Sequence, residues 1–298
     1  MKVGYIGLGN MGRAQVMRLI SQGVPLTVWN RTAERAQGIP AEAAETPAQV
    51  MASCDVVFLC LFDSDAVRDV AAGPDGLFAA PRREAKVVVD CTTNSYDDAV
   101  AFHDLFAQEG LAYLESPVLG SVVPASQGAL VALVSGEEPP LVKAEPYLRL
   151  IAREVLYMPP PGSATAAKLA SNVVIGVTMA GMVEAVALGE AAGIPRDRVL
   201  DVLEFGPAAP LVAAKREMLL TRDFSPHYSA SAAHKDLIHA GLLARTLEVP
   251  IEVADVARYL YAEAIDRGRG QEDYSVTFEV VGGTADPFAH EESEAEPT

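Results

Sequence analysis

Apolar and polar positions follow two different rhythms along this chain, and the change falls near residue 160. In the first part, short apolar runs read as strands at Lys2–Ile6, Pro25–Trp29, Val56–Leu61, Lys86–Asp90, Ala112–Glu115 and Leu130–Ser135, with helical patterns between them. From Gly162 onward the strand pattern stops. Ala164–Gly193 is apolar or small on nearly every face, with Glu184 and Glu190 only late in it, and a helix of that kind is expected to be buried. It far exceeds the usual three or four turns, which predicts that it crosses between domains and packs against a partner chain. Pro195–Phe205, Leu211–Thr221, Ser229–Leu247 and Val253–Asp266 continue as helices, and the acidic, Pro- and Gly-bearing Gly282–Thr298 reads as a disordered tail.

The first strand runs directly into Gly7-Leu8-Gly9-Asn10-Met11-Gly12, then into an amphipathic stretch through Ile20 and a second strand. Strand, glycine turn, helix and strand within about 30 residues form the unit of a parallel sheet with a right-handed crossover. The predicted fold is α/β, an N-terminal Rossmann-type doubly wound sheet followed by a C-terminal all-α domain. The expected divisions are 1–160 for an NADP-binding domain, 161–282 for a helical substrate and dimerisation domain, and 283–298 for the tail. A GxGxxG pattern alone says little, but between a strand and a helix each glycine has a task. Gly7 allows the tight turn, Gly9 lets the backbone approach a pyrophosphate, and Gly12 lets helix and strand pack closely. The helix start then offers free N–H groups to the phosphates.

The end of the second strand distinguishes the two dinucleotides. A domain for NAD places a carboxylate there to accept from the ribose 2′-hydroxyl. This chain has Trp29-Asn30-Arg31-Thr32 and no carboxylate before Glu34. Arg31 offers a planar fork suited to a 2′-phosphate, Asn30 and Thr32 add neutral donors, and NADP(H) is the expected cofactor. Two further loops fall at strand ends: Leu61-Phe62 is expected to flank the adenosine or ribose, and the hydroxyl of Thr93 to reach the nicotinamide side. Ser64 and Ser95 read as helix caps.

Composition narrows the partners. A net charge of -17 argues against nucleic acid or an anionic membrane surface, since both require basic patches. The longest uncharged stretch, Leu169–Val183, falls short of the roughly 20 residues of a membrane span. Cys54, Cys60 and Cys91 form neither an even set nor a metal-ligand spacing, and no His/Asp/Glu cluster suggests a metal. The expectation is a soluble cytoplasmic protein without a signal peptide, working on a small molecule as a homodimer or homotetramer.

One lysine stands out. Lys168 has Ala164, Thr165, Ser171 and Asn172 at its helical i±3 and i±4 positions, with no carboxylate among them. An isolated lysine near a helix start is ordinarily solvated, yet one packed among small residues loses its proton more readily when buried. Lys168 and Asn172 point off the same helical face.

Four motifs in order then carry a resemblance. Gly7–Gly12, the segment Glu115–Ser121 continuing to Gly128-Ala129-Leu130, Gly162–Asn172 and His234-Lys235-Asp236-Leu237 are similar to those of the β-hydroxyacid dehydrogenase family. That family includes 3-hydroxyisobutyrate dehydrogenases and glyoxylate/succinic semialdehyde reductases, within the wider 6-phosphogluconate dehydrogenase-like group. The resemblance runs from Lys2 to about Val281. It implies an oxidoreductase passing hydride between NADP(H) and a small hydroxyacid or aldehyde acid. Lys168 would act as proton donor or acceptor beside Asn172, Lys235 would reach over the cofactor, and Leu119, Gly120 and Ser121 would meet the substrate. Where the family has a carboxylate-binding serine this chain has Leu119, which leaves an imine or non-carboxylate carbonyl as the alternative substrate. A non-catalytic NADP-binding protein is the alternative of another class.

Overall fold

The computed structural model describes residues 2–81, 83 and 87–282, so the expected tail at 283–298 lies outside the described residues. The chain divides into two compact units, Met1–Ala170 and Ser171–Thr298.

In the first unit, strands β1 (Val3–Ile6), β2 (Leu26–Trp29), β3 (Glu42–Ala43), β4 (Val56–Leu59), β5 (Val87–Asp90) and β6 (Ala112–Glu115) form one parallel sheet, ordered β3-β2-β1-β4-β5-β6. The doubly wound topology expected from the glycine turn is therefore present. Every residue of β1, β4 and β5 is buried, because alternate side chains enter opposite faces and helices cover both. Val3, Tyr5, Val56 and Phe58 pack on one face with α1 (Asn10–Ser21); Ile6, Val57, Leu59 and Val88 pack on the other with α2 (Pro47–Ser53), α3 (Ser64–Ala72) and α4 (Tyr96–Gln108).

The run at Leu130–Ser135 does not join this sheet. It forms β8 (Leu130–Val134), the centre of a separate three-stranded sheet with β7 (Val118–Leu119) antiparallel and β9 (Ala152–Tyr157) parallel to it. Helices α5 (Val122–Gln127) and α6 (Glu138–Ile151) supply the connections. β9 is mostly exposed and interrupted by Arg153 and Glu154, and β3 and β7 span two residues each, so the apolar pattern gave no sign of them.

Helix α7 (Ser163–Ala191) starts in the first unit and continues into the second. Beyond it lie α8 (Arg196–Leu203), α9 (Ala209–Thr221), α10 (Ala230–Thr246), α11 (Glu252–Asp266) and α12 (Phe278–Val281). Met179, Val183 and Val186 of α7 are fully buried with residues of these helices, and Tyr261 donates its hydroxyl to the Gly176 carbonyl at 2.7 Å. Two expectations are corrected here. By length and composition alone α7 is long and apolar enough to cross a membrane, despite its short uncharged core. It is also not buried all round within one chain, since Val174 and Leu188 are 65% and 73% exposed.

Candidate active site

The glycine loop is explained residue by residue. Gly7 has φ 101°, and a Cβ there would fall 2.2 Å from the Cys60 carbonyl oxygen, so only glycine fits. A Cβ on Gly12 would fall 2.1 Å from the Gly7 carbonyl oxygen, which fixes how closely α1 approaches the loop. Gly9 is different. Its φ of -65° suits any residue, and a Cβ there would meet nothing within 4 Å. Neither backbone nor packing requires a glycine at the cap of α1, so the open space beside it is the fit for an outside group approaching the backbone. The first turn of α1 carries no acidic side chain, and Gly9 at its cap makes no side-chain bond, which suits the approach of an anion. Asn10 and Met11 belong to this turn.

The loop after β2 departs from expectation at one residue. Asn30 is not turned to a phosphate: its Oδ1 accepts from Leu8 N at 2.8 Å and its Nδ2 donates to Thr32 O at 2.9 Å. It therefore shapes the glycine loop from below. Arg31 and Thr32 stand exposed beyond it, as a 2′-phosphate reader requires. Arg13, which the sequence reading missed, reaches from α1 to the carbonyls of Arg35 and Gln37 and holds that loop.

The loops after β4 and β5 are stitched together. Asp90 is fully buried and accepts from Thr92 N, Asn94 Nδ2 and Tyr113 OH at 2.7–2.9 Å. Burial raises its pKa, against the pull of these donors. Leu61 N donates to Thr92 Oγ1, and Ser95 N to Ser64 Oγ, both at 3.0 Å. This leaves Phe62 exposed and Thr93 half-buried at the strand ends. Ser95 caps α4 as expected, whereas α3 is capped by Asp63 rather than Ser64. Burial pushes the Cys91 thiol well above its ordinary pKa, which makes it an inert packing group.

Leu119 ends β7, half-buried and paired with Val131. Gly120, with φ 119°, turns the chain where a Cβ would strike Leu130, and Ser121 follows at the start of α5 without a capping bond from its side chain. Lys168 is half-buried in α7, one turn past Thr165. The start of α7 is capped from a distance: Glu115 Oε1 accepts from Gly162 N at 2.5 Å, and Oε2 from Thr165 Oγ1 and N at 2.6 and 3.2 Å.

Within the second unit, Asn172 is buried and donates its Nδ2 to Asp236 Oδ2 at 2.6 Å. Tyr228 OH donates to the same oxygen at 2.6 Å, and Lys235 Nζ lies 2.8 Å from Asp236 Oδ1. Asp236 thus binds together Asn172 and Lys235, two of the expected site residues. The carboxylate itself was not singled out from sequence, although it directly follows Lys235. Among the described residues no group of three His, Cys, Asp or Glu side chains could hold a metal.

Residues 2–159 match the NAD binding domain of 6-phosphogluconate dehydrogenase. Residues 162–281 match the NAD-binding domain of NADP-dependent 3-hydroxyisobutyrate dehydrogenase. The chain is 29% identical to glyoxylate/succinic semialdehyde reductase 2, chloroplastic, of Arabidopsis thaliana, over 94% of its own length and 79% of the relative's. It is 30% identical to the cytokine-like nuclear factor N-PAC of Anopheles gambiae, over 93% of its own length and half of that protein's. Among solved structures, Psf3 in complex with NADP+ and 2-OPP superposes with a TM-score of 0.85 at 29% identity, covering 94% of this chain and 99% of that one.

Gly9→Ala should cost the fold no more than about 1 kcal/mol, the penalty of a poorer helix cap. It should weaken dinucleotide binding about tenfold or more, about 1.4 kcal/mol. Fluorescence titration beside thermal denaturation checks both, and unchanged affinity would show that no ligand passes Gly9.

Proposed function

From the premise that the chain belongs to the 3-hydroxyisobutyrate dehydrogenase-like family of NAD(P)-dependent oxidoreductases, we propose that it reduces a small aldehyde acid or keto acid with NADPH, and catalyses the reverse oxidation of a hydroxyacid. The carrying observation is Lys168, half-buried one turn past a helix start that is fastened to the end of β6. When bound, the nicotinamide cofactor supplies or accepts the hydride. Every other task falls to the chain. Gly7–Gly12 and the start of α1 hold the pyrophosphate, and Arg31 with Thr32 reads the 2′-phosphate. Lys168, as ammonium, gives its proton to the alkoxide oxygen that develops on the substrate, and takes one back in oxidation. Asn172 and Lys235 are both held by Asp236 within the second unit.

A glyoxylate or succinic semialdehyde class of substrate is supported by the Arabidopsis relative and by Gly120-Ser121. Leu119 favours a second reading on the same fold: an alkyl side chain there gives no hydroxyl donor to a carboxylate, and suits a less polar carbonyl or an imine. We also propose a homodimer or larger assembly. Val174, Val253, Val256 and Tyr259 are each about two-thirds exposed, at 64–67%, and a groove of about 390 Å³ lies among Val174, Val177, Pro250 and Val253. Apolar surface of this kind on one face suits a covered interface.

Lys168→Ala should lower kcat by about 10²–10⁴-fold while NADPH binding stays nearly intact; a variant that keeps kcat and only raises KM would make Lys168 a binding residue. A panel of glyoxylate, succinic semialdehyde, 3-hydroxyisobutyrate and cyclic imines, followed by NADPH absorbance, separates the substrate classes. Arg31→Ala should weaken NADPH by about 1.5–3 kcal/mol, the worth of bonds to a charged group, and NADH hardly at all. Equal losses for both would remove Arg31 from 2′-phosphate recognition. Light scattering should show a dimer or larger, reduced toward monomer by Val256→Glu; a wild-type monomer at micromolar concentration would contradict the assembly.

A further inference from the structure

We propose that Glu115 is a positioning residue for Lys168: its buried carboxylate, carried on the last position of β6, fixes the first turn of α7 and thereby sets where the lysine amine stands. The proposal rests on the reading of Lys168 as the proton donor. A helix start leaves its first N–H groups without intrahelical partners, and a local serine, threonine or aspartate usually supplies the cap. Here the N-cap position falls on Gly162, which has no side chain. Instead the donors at the start of α7 go elsewhere: Gly162 N and Thr165 N to Glu115, Ala164 N to Ser135 Oγ at 2.7 Å, and Ser163 N to the Pro160 carbonyl. A local cap begins a helix without tying it to anything. A carboxylate from a strand distant in sequence ties the helix to the sheet.

The tie is rigid at its other end. Glu115 is 1% exposed, and its backbone exchanges two hydrogen bonds with Ser135, N to O at 3.1 and 3.0 Å. The two residues that cap α7 by their side chains are therefore bound to each other through the main chain. Glu115 is also in register with Asp90 on β5, whose carboxylate orders the loop that carries Thr93. Behind the carboxylate, His103 Nε2 lies 2.9 Å from Oε1. Burial acts to raise the pKa of Glu115, but the bonds from His103, Thr165 and Gly162 outweigh it and hold the group below its ordinary value. It is thus anionic at neutral pH and complements the positive end of the helix dipole. Thr165 gives Glu115 both its N–H and its hydroxyl, and Lys168 follows it by three residues, on the adjacent turn of the same face. Rotation of the first turn would carry the amine with it.

Glu115→Gln, Thr165→Val and Thr165→Ser are compared with Lys168→Ala, using NADPH with glyoxylate and with succinic semialdehyde, NADPH titration, and amide hydrogen exchange over residues 162–170. Glu115→Gln and Thr165→Val should lower kcat about tenfold, with KM for both ligands and NADPH affinity within twofold. Exchange should accelerate about tenfold at 162–170 and remain unchanged in the parallel sheet, and Thr165→Ser should restore both readouts. Should Glu115→Gln fail to fold, Thr165→Val decides alone. Wild-type kcat in the Glu115 and Thr165 variants, with Lys168→Ala inactive, overturns this proposal and leaves Lys168 catalytic. Full kcat in Lys168→Ala overturns both. Parallel loss of kcat, cofactor affinity and protection throughout the sheet would mark a general structural role and also overturn it.

Discussion

A strand buried on both faces has no place for a reactive group except beyond its end. In β1, β4 and β5 every side chain is enclosed, so the parallel sheet spends its whole length on packing. The chemistry is consequently confined to what the carboxyl ends deliver: the glycine loop after β1, Arg31 after β2, Leu61-Phe62 after β4, Thr93 after β5 and Glu115 closing β6. That confinement gathers residues scattered from Gly7 to Glu115 in sequence at one edge of the sheet, where the proposed cofactor would bind.

Holding such loops still requires polar groups in dry surroundings, and the protein uses carboxylates for it. Asp90, Glu115, Asp236 and Asp273 are each at most 2% exposed. An uncompensated buried carboxylate costs several kcal/mol, so each has to be met by donors in a definite arrangement. Asp273 accepts from Lys215 Nζ, the Ser275 hydroxyl and three backbone N–H groups; Asp236 accepts from Asn172 and Tyr228 and pairs with Lys235. The penalty for any other arrangement gives these loops and helix starts their definition. Three of the four lie beside residues that the proposed reaction uses; Asp273 secures the helical unit alone.

Legibility from sequence followed the range of each interaction. The glycine loop, the first two strands and the long helices depend on neighbours within a few residues, and the pattern showed them. Gly9 was readable too, as the middle glycine of the same loop. Interactions across long separations were not readable. Nothing near Gly162 signals that Glu115 will cap α7, and nothing near Asn30 shows that its amide will serve Leu8 and Thr32. The three-stranded sheet failed for a related reason: β9 is mostly exposed, so its pairing with β8 comes from the path of the chain rather than from its own pattern. Asn172 was singled out for its place four residues after Lys168, while the carboxylate it meets 64 residues away was given no role of its own.

The charge balance fits the same design. A chain of net charge -17 repels an anionic dinucleotide at long range, and screening over about 8 Å at physiological salt confines that repulsion to near approach. At the site itself the local terms decide. The start of α1 carries no acidic side chain, Asn30 is neutral and already engaged, and Arg13 and Arg31 supply positive charge on either side of the loop after β2. Asp90 and Glu115, at the ends of β5 and β6, are buried and committed to donors, so their charge is spent inward on the scaffold. An acidic protein can therefore hold an anionic cofactor with two arginines and a helix start, provided that its nearby carboxylates face away from the phosphates and into the fold.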